Sequence, residues 1–350
     1  MPINLESLAR PVVKALISYR YHHHHRTVAK RILNVLEKVK GPLPQTVVRQ
    51  CDDYAGDVFG NRHFAVWLYV YSAVAGCFKE GWIPDNYYGS VVVPKLKGVY
   101  GKVSCLKSLH STIFSHDSFP DILSYANGLF LDTQYRVLHP DSIKDKLFLG
   151  RKKVVFKLDS SEQGKGVFFF NRESFDLDLV YKLGNGLFQE CIKQHEVFQE
   201  FAKESVATLR MTTVMADDGT ASLRACYLRL GTGADTHVQS QSSMRIPIDI
   251  KSGAFSEVGF TPDWLEVDHH PTSKVKFQGK VVPRYDESLK LVTSLHRRVP
   301  YARCIGWDVT LNDEANVKIM EWNAEHNGIK FTEATQGPCF SDLNWERLKD

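Results

Sequence analysis

The apolar positions of the first forty residues fall at helical spacing: Leu5, Leu8, Val12, Val13, Leu16 and Ile17, then Val28, Ile32, Val35 and Leu36. GPLP at 41–44 predicts the stop of that helix. A second helical stretch runs to about residue 80 and holds the longest apolar run, FAVWLYVYSAVAGCF at 64–78, bounded by His63 and Lys79. That run falls short of the ~20 residues that cross a bilayer, so a buried helix is expected there and no membrane span. GWIPDNYYG at 81–89 is a turn-rich connector, followed by VVVPKLKG and a polar helical segment from Lys102 to Phe114.

From Lys152 onward the period changes to two. VVFKL, GVFFF, TLRMTTVM, ACYLRLG and RIPIDI read as strands, separated by turns such as ADDGT and KSGAF. ARCIGWDVTL and VKIMEWNAEH flank the turn NDEAN, and SLKLVTSLHRRV at 288–299 reads as a helix. The layout is helices first, then a small sheet, then a larger mixed sheet.

Composition narrows the class. Hydrophobic residues at 43% and charged residues at 24% predict a folded globular protein. The net charge of +4 is mild and the Lys and Arg are spread along the chain, so no nucleic-acid partner is expected. Seven cysteines, far apart and without a C-x-x-C pair, read as reduced thiols. With no signal-like start in MPINLESLARPVVK, the expectation is the cytoplasm. In YHHHHR at 21–26 only His22 and His25 share a helix face, so a solvated face is expected there rather than a metal cluster.

Two segments carry chemistry. VVFKLDSSEQGKGVFFF at 154–170 places Gly164, Lys165 and Gly166 before a strand, whereas a Walker loop opens a helix. The stretch is therefore a hairpin loop. Its backbone N–H groups suit phosphate, with charge from Lys157 and Lys165, and a plain turn is the alternative. Near the end, pairing of Leu311 with Lys318 would set Asp308 opposite Glu321, with Asn323 on the same face. Trp307, Val309, Met320 and Trp322 would take the other face. Three oxygen-bearing side chains on one face suit a hard divalent cation such as Mg²⁺; incidental acids on an exposed edge are the alternative.

Together these features resemble the ATP-grasp superfamily, and its sugar-transfer-associated branch in particular. The resemblance covers roughly residues 100–340. It rests most on HPTSKVKFQGKVVPRYDESLKLV (270–292), VPYARCIGWDVTL (299–311) and VKIMEWNAEHNG (317–328), in that order. It implies an α+β chain with an ATP-grasp fold, two α/β lobes clasping ATP, and an added helical amino-terminal region over 1–100. The small lobe with the Gly-rich hairpin would span 101–200, and the large lobe with the metal site 201–350.

By resemblance, Lys157 and Lys107 reach the ATP phosphates, Gly164, Lys165 and Gly166 form a lid, and Asp308, Glu321 and Asn323 hold Mg²⁺, two ions being expected. HEVFQEFAKES resembles the hinge between lobes, with Gln199, Glu200 and Phe201 at adenine and Glu204 at the ribose. Arg210 and Arg229 match arginines used against phosphate or an acyl phosphate. The loop GADTHVQSQSSMRIPIDI departs from the branch, which usually shows an Asp-Asn pair and a double glycine there. Asp235, His237 and Arg245 in it are candidates for the acceptor.

The implied activity is an ATP-dependent carboxylate-amine ligase that forms an amide through an acyl phosphate. The branch points to a sugar acid in bacterial surface polysaccharide synthesis, joined to an amino acid or small amine. A sugar kinase on the same fold and a non-catalytic nucleotide-binding module are the alternatives. Charge placed to offset a moving phosphoryl group favours catalysis over mere binding.

Overall fold

The computed structural model describes residues 5–161, 166–203, 205–232 and 243–349, with side chains from residue 13 onward. The chain forms two compact units: one of Met1–Lys95, Asp263–Leu265 and Gly328–Asp350, the other of Leu96–Pro262 and Glu266–Asn327.

The first unit is helical. Helix α1 (Leu5–Lys40) stops where Gly41 turns to a φ of 83° and its N–H reaches Glu37 O at 2.9 Å. Helix α2 (Gln45–Phe59) buries Cys51, Ala55 and Phe59, one residue per turn. Helix α3 (Ala65–Ala75) is the long apolar run, with Trp67, Leu68, Val70 and Tyr71 fully enclosed. Among the described residues no helix is long and apolar enough to cross a membrane.

The histidine tract departs from the expected solvated face. His23 and His24 are exposed, but His25 is buried, accepting Trp67 Nε1–H on Nδ1 at 2.9 Å, and the His22 ring lies tilted against that of His63, with centroids 4.1 Å apart. A helix that packs on α3 must turn two of four consecutive side chains inward.

The second unit holds two antiparallel sheets. The first contains β1 (Asp121–Ala126), β2 (Leu129–Asp132), β3 (Val137–Leu138), β4 (Lys153–Leu158), β5 (Val167–Asn171) and β6 (Gly186–Glu190), in the order β3-β2-β1-β6-β4-β5. Its apolar face, including Leu123, Phe130, Val154, Phe156 and Phe188, packs on Ile143, Leu147 and Val180. This sheet starts earlier than Lys152. Asn127 and Gly128, at φ 50° and 90°, turn β1 into β2, a two-residue hairpin of the Asn-Gly kind.

The second sheet runs β11-β10-β9-β8-β7-β12-β13. Its strands are β7 (Thr208–Met215), β8 (Ala221–Leu230), β9 (Met244–Pro247), β10 (Gly259–Phe260), β11 (Glu266–Val267), β12 (Cys304–Leu311) and β13 (Val317–Asn323). One face buries Leu209, Met211, Leu228, Trp307 and Val309 against the helix Tyr285–His296. Alternation along β7 and β12 then sends Arg210 and Asp308 to the other face.

Candidate functional site

Asp308 stands opposite Glu321, and Gly306 opposite Asn323. The register near the turn differs from the expected one: Leu311 pairs with Val317 and Thr310 with Lys318, and a bulge between Asp308 and Val309 resets the phase. Met320 is the extra residue. Ile319 and Trp322, not Met320, form the core face with Trp307 and Val309. The bulge also turns the Met320 carbonyl toward β4, where Lys157 Nζ donates to it at 3.2 Å.

Lys157 is joined by Lys107, whose Nζ lies 3.3 Å from Glu321 Oε1 and 3.3 Å from Ser161 O. Burial pulls the Lys157 pKa below the ordinary lysine value; Glu321 works against this and Lys107 adds to it. A buried ammonium group from Lys107 and a half-buried one from Lys157 beside Glu321 leave this face short of negative charge.

Asp308 is held from the neighbouring strands. Arg210, its partner on β7, donates Nε to Oδ1 at 2.6 Å and Nη2 to Oδ2 at 3.2 Å. Arg229 brings Nη2 to Oδ2 at 2.5 Å and donates Nε to Thr208 Oγ1 at 3.1 Å. Burial would raise the Asp308 pKa, but the two guanidinium groups outweigh it and hold the carboxyl below its usual range. Arg210 shifts upward: burial opposes its charge and Asp308 more than compensates.

The donor set fits a hard cation. Asp308 Oδ2 accepts from two guanidinium groups, whereas Oδ1 accepts from one and keeps a lone pair. Glu321 engages Lys107 through Oε1 only. Asn323 donates Nδ2 to Gly306 O at 3.2 Å, which leaves its Oδ1 as an acceptor. Carboxylate and amide oxygens that keep lone pairs suit Mg²⁺ with its waters and phosphate oxygens. Among the described residues no group of three or more His, Cys, Asp or Glu is placed to hold a metal, so a thiolate or imidazole centre has no such cluster here.

Further polar groups were not foreseen. Asn327 O accepts Arg210 Nη1 at 3.0 Å while its Oδ1 accepts the buried Lys97 Nζ at 2.7 Å, so one residue links two cations. A Cβ on Gly306 would come within 2.8 Å of Asn327 Cβ and 3.1 Å of Arg210 Cδ, so glycine there leaves room for the arginine. Asp121, pushed up to about 6 by burial against the pull of Gln189, Ser111 and Lys157, accepts Gln189 Nε2–H at 2.7 Å. These residues are distant in sequence. The one signal open to inspection is a polar residue inside a buried strand.

Phe201 is buried in the large-sheet core with Phe255 and Phe277, on the side opposite Asp308. Glu200 pairs with Lys280, and Gln199 Nε2 donates to Gln194 O at 2.5 Å. Arg245 on β9 stands beside Arg229 in register, next to Tyr227 on the same sheet face, and burial lowers its pKa. At the hairpin, Leu158 N–H bonds Gly166 O at 2.9 Å and Lys157 pairs with Val167, so a strand does follow the glycine. Gly164, Lys165, Glu204, Asp235 and His237 lie outside the described residues.

No curated protein matches the sequence. Among solved structures, the ATP-grasp ligase PsnB, with a phosphomimetic precursor variant, Mg and ADP, is 12% identical, with 81% of this chain and 66% of that one covered and a TM-score of 0.42. The biotin carboxylase domain of Hydrogenobacter thermophilus 2-oxoglutarate carboxylase is 10% identical over 70% of this chain and 45% of that one, TM-score 0.42. Biotin carboxylase from Campylobacter jejuni is 7% identical over 69% and 46%, TM-score 0.41. The chain thus spans between about half and two thirds of the length of these proteins. A family described as sugar-transfer associated ATP-grasp matches residues 177–344, which include Arg210, Arg229, Asp308, Glu321 and Asn323. With its helical amino-terminal region and its two sheets, the chain is an α+β protein, and its residues 177–344 are similar to the family described as sugar-transfer associated ATP-grasp.

Proposed function

We propose that the chain is an ATP-dependent carboxylate-amine ligase acting through an acyl phosphate. The observation that carries the reading is the meeting of Lys107 and Lys157 with the Asp308, Glu321 and Asn323 face, flanked by Arg210 and Arg229. A nucleotide triphosphate supplies the negative charge that this face lacks. The lysines belong to the smaller sheet's side, within the proposed small lobe 101–200, and the acids to the proposed large lobe 201–350.

A carboxylate is a poor electrophile because oxide is its leaving group. In the proposed reaction a carboxylate oxygen of the acceptor bonds to the γ-phosphorus of ATP and the bond to ADP breaks. Lys157 and Lys107 offset the charge on the transferring group. An amine then bonds to the acyl carbon, inorganic phosphate leaves, and the ammonium proton passes to solvent. Arg210 and Arg229 orient the acyl phosphate oxygens. Asp308, Glu321 and Asn323 would hold Mg²⁺, expected as two ions, which supplies charge neutralisation at the phosphate oxygens. Gly164, Lys165 and Gly166 would close over the phosphates and exclude water.

The acceptor we infer is a sugar acid, a uronate of bacterial surface polysaccharide, with Asp235, His237 and Arg245 nearest it, and the amine an amino acid or small amine. The setting we infer is the cytoplasm, where ATP is supplied. The test is mass spectrometry of products from Mg-ATP with a panel of uronates and amines. Amide mass, with phosphate release that requires both partners, is the expected result. A phosphorylated sugar without amide would assign a kinase, and ATP binding without turnover a nucleotide-binding module.

A further inference from the structure

Helix α1 changes character along its length. From Tyr21 onward it packs on α3, burying His25, Ala29, Ile32 and Leu36. Before that, every residue from Val13 to Arg20 is exposed. Val13 is 52% exposed, Leu16 50%, Ile17 62% and Tyr19 67%. Val13, Leu16, Ile17 and Arg20 follow one another at intervals of three, one and three, a single helical face. The sequence carries the same apolar spacing back through Val12, Leu8 and Leu5. An exposed apolar stripe along the unpacked end of a helix calls for a surface to lie on.

The charge says which surface. Helix α1 carries eight Lys and Arg against Glu6 and Glu37, whereas the whole chain is only +4, so the rest of the chain is net negative. Lys14, Arg20, Arg26, Lys30 and Arg31 are exposed, and none of them pairs with a carboxylate among the described residues. Arg20 lies within the apolar stripe. A second copy of α1 laid on it would oppose like charges, while a bilayer lets such a side chain reach the headgroups as its stem stays in the apolar layer. A nucleic acid would satisfy the charge and leave Val13, Leu16 and Ile17 in water.

We propose that the amino-terminal half of α1 lies in the interface of an anionic lipid bilayer. Val13, Leu16 and Ile17 rest at the acyl boundary, and Lys14, Arg20 and the basic residues that follow meet the headgroups. The proposal goes beyond the ligase reading and stands without it.

The test uses the full chain and co-sedimentation with vesicles of equimolar phosphatidylcholine and phosphatidylglycerol, and with phosphatidylcholine alone. Binding to the mixed vesicles, absent from the neutral ones and weakened by salt, is expected. Each Lys or Arg near the surface contributes about fivefold, so Lys14→Glu with Arg20→Glu should weaken binding by at least ~25-fold. Leu16→Asp with Ile17→Asp should abolish it, with thermal unfolding of the chain unchanged. Failure of the wild type to sediment with mixed vesicles overturns the proposal, as does sedimentation of both variants equal to that of the wild type. If light scattering shows a dimer that Leu16→Asp with Ile17→Asp splits, and vesicles recover nothing, the stripe belongs to a second copy. Retention on single-stranded RNA without vesicle binding would likewise give the charge to a nucleic acid.

Discussion

Replacing Asp308 by Asn tests the centre of the site with almost no change of shape. Asn keeps one acceptor oxygen for Arg210 Nε. In place of the other oxygen it puts an N–H group facing Arg210 Nη2 at 3.2 Å and Arg229 Nη2 at 2.5 Å, both donors. Two charge-assisted bonds are lost, each contributing about 1.5–3 kcal/mol, and the buried Arg210 and half-buried Arg229 guanidinium groups lose their common counter-charge. Breaking a buried pair from one side costs about 3–5 kcal/mol. For a unit the size of Leu96–Pro262 with Glu266–Asn327, that lowers Tm by roughly 6–20 °C. Thermal unfolding at neutral pH, followed by circular dichroism, measures it. The acid branch adds a sign. The Asp308 carboxyl is held below its usual range, so its stabilisation is present above the unfolded pKa and fades as pH falls through the depressed folded value. The gap between wild type and variant should therefore narrow below about pH 4. A neutral-pH Tm equal to that of the wild type would show that Asp308 does not anchor the two arginines.

Other substitutions separate chemistry from folding. Lys157→Met removes a half-buried ammonium whose charge the surroundings disfavour and whose bond is to the Met320 carbonyl, so Tm should hold or rise while ATP-dependent phosphate release disappears; retained release would remove Lys157 from the chemistry. In the helical unit, burial raises the Glu333 carboxyl to about 7 although Ile83 N–H and Cys339 N–H both donate to it, at 2.8 and 2.7 Å. The folded state then holds a proton that the unfolded state has released, so stability is full below about pH 4.5 and falls as pH rises toward 7. Urea unfolding across that range should show the decline in the wild type and a flatter profile in Glu333→Gln; matching slopes would refute it.

The strands around the site could be read because their alternation is plain. TLRMTTVM spans β7, and the opposition of Asp308 and Glu321 followed from pairing two strands across NDEAN. The expected register at the turn was one residue out, and the bulge at Met320 offset the error before it reached Asp308. A bulge leaves little trace in a run such as VKIMEWN, where apolar residues serve both phases. The β1–β2 hairpin was missed although Asn127-Gly128 carries its signal, because the period-two reading began only at Lys152. Asn327, Gln189 and Asp121 were illegible for a different reason. Their roles arise from contacts with Arg210, Lys97 and each other across long stretches of chain, and local pattern does not encode such contacts.

The extra residue in β13 separates two properties that usually travel together. Deleting Met320 would leave the pairs on both sides in step: Val309 with Ile319, then Asp308 with the following Glu321 and Trp307 with Trp322. The ladder would become regular, and its inward and outward sets would keep their places. What would vanish is one backbone oxygen, the acceptor that Lys157 reaches from β4. Sheet regularity and the anchoring of a distant cation are thus set by different atoms, and a single-codon deletion would spare the first while erasing the second.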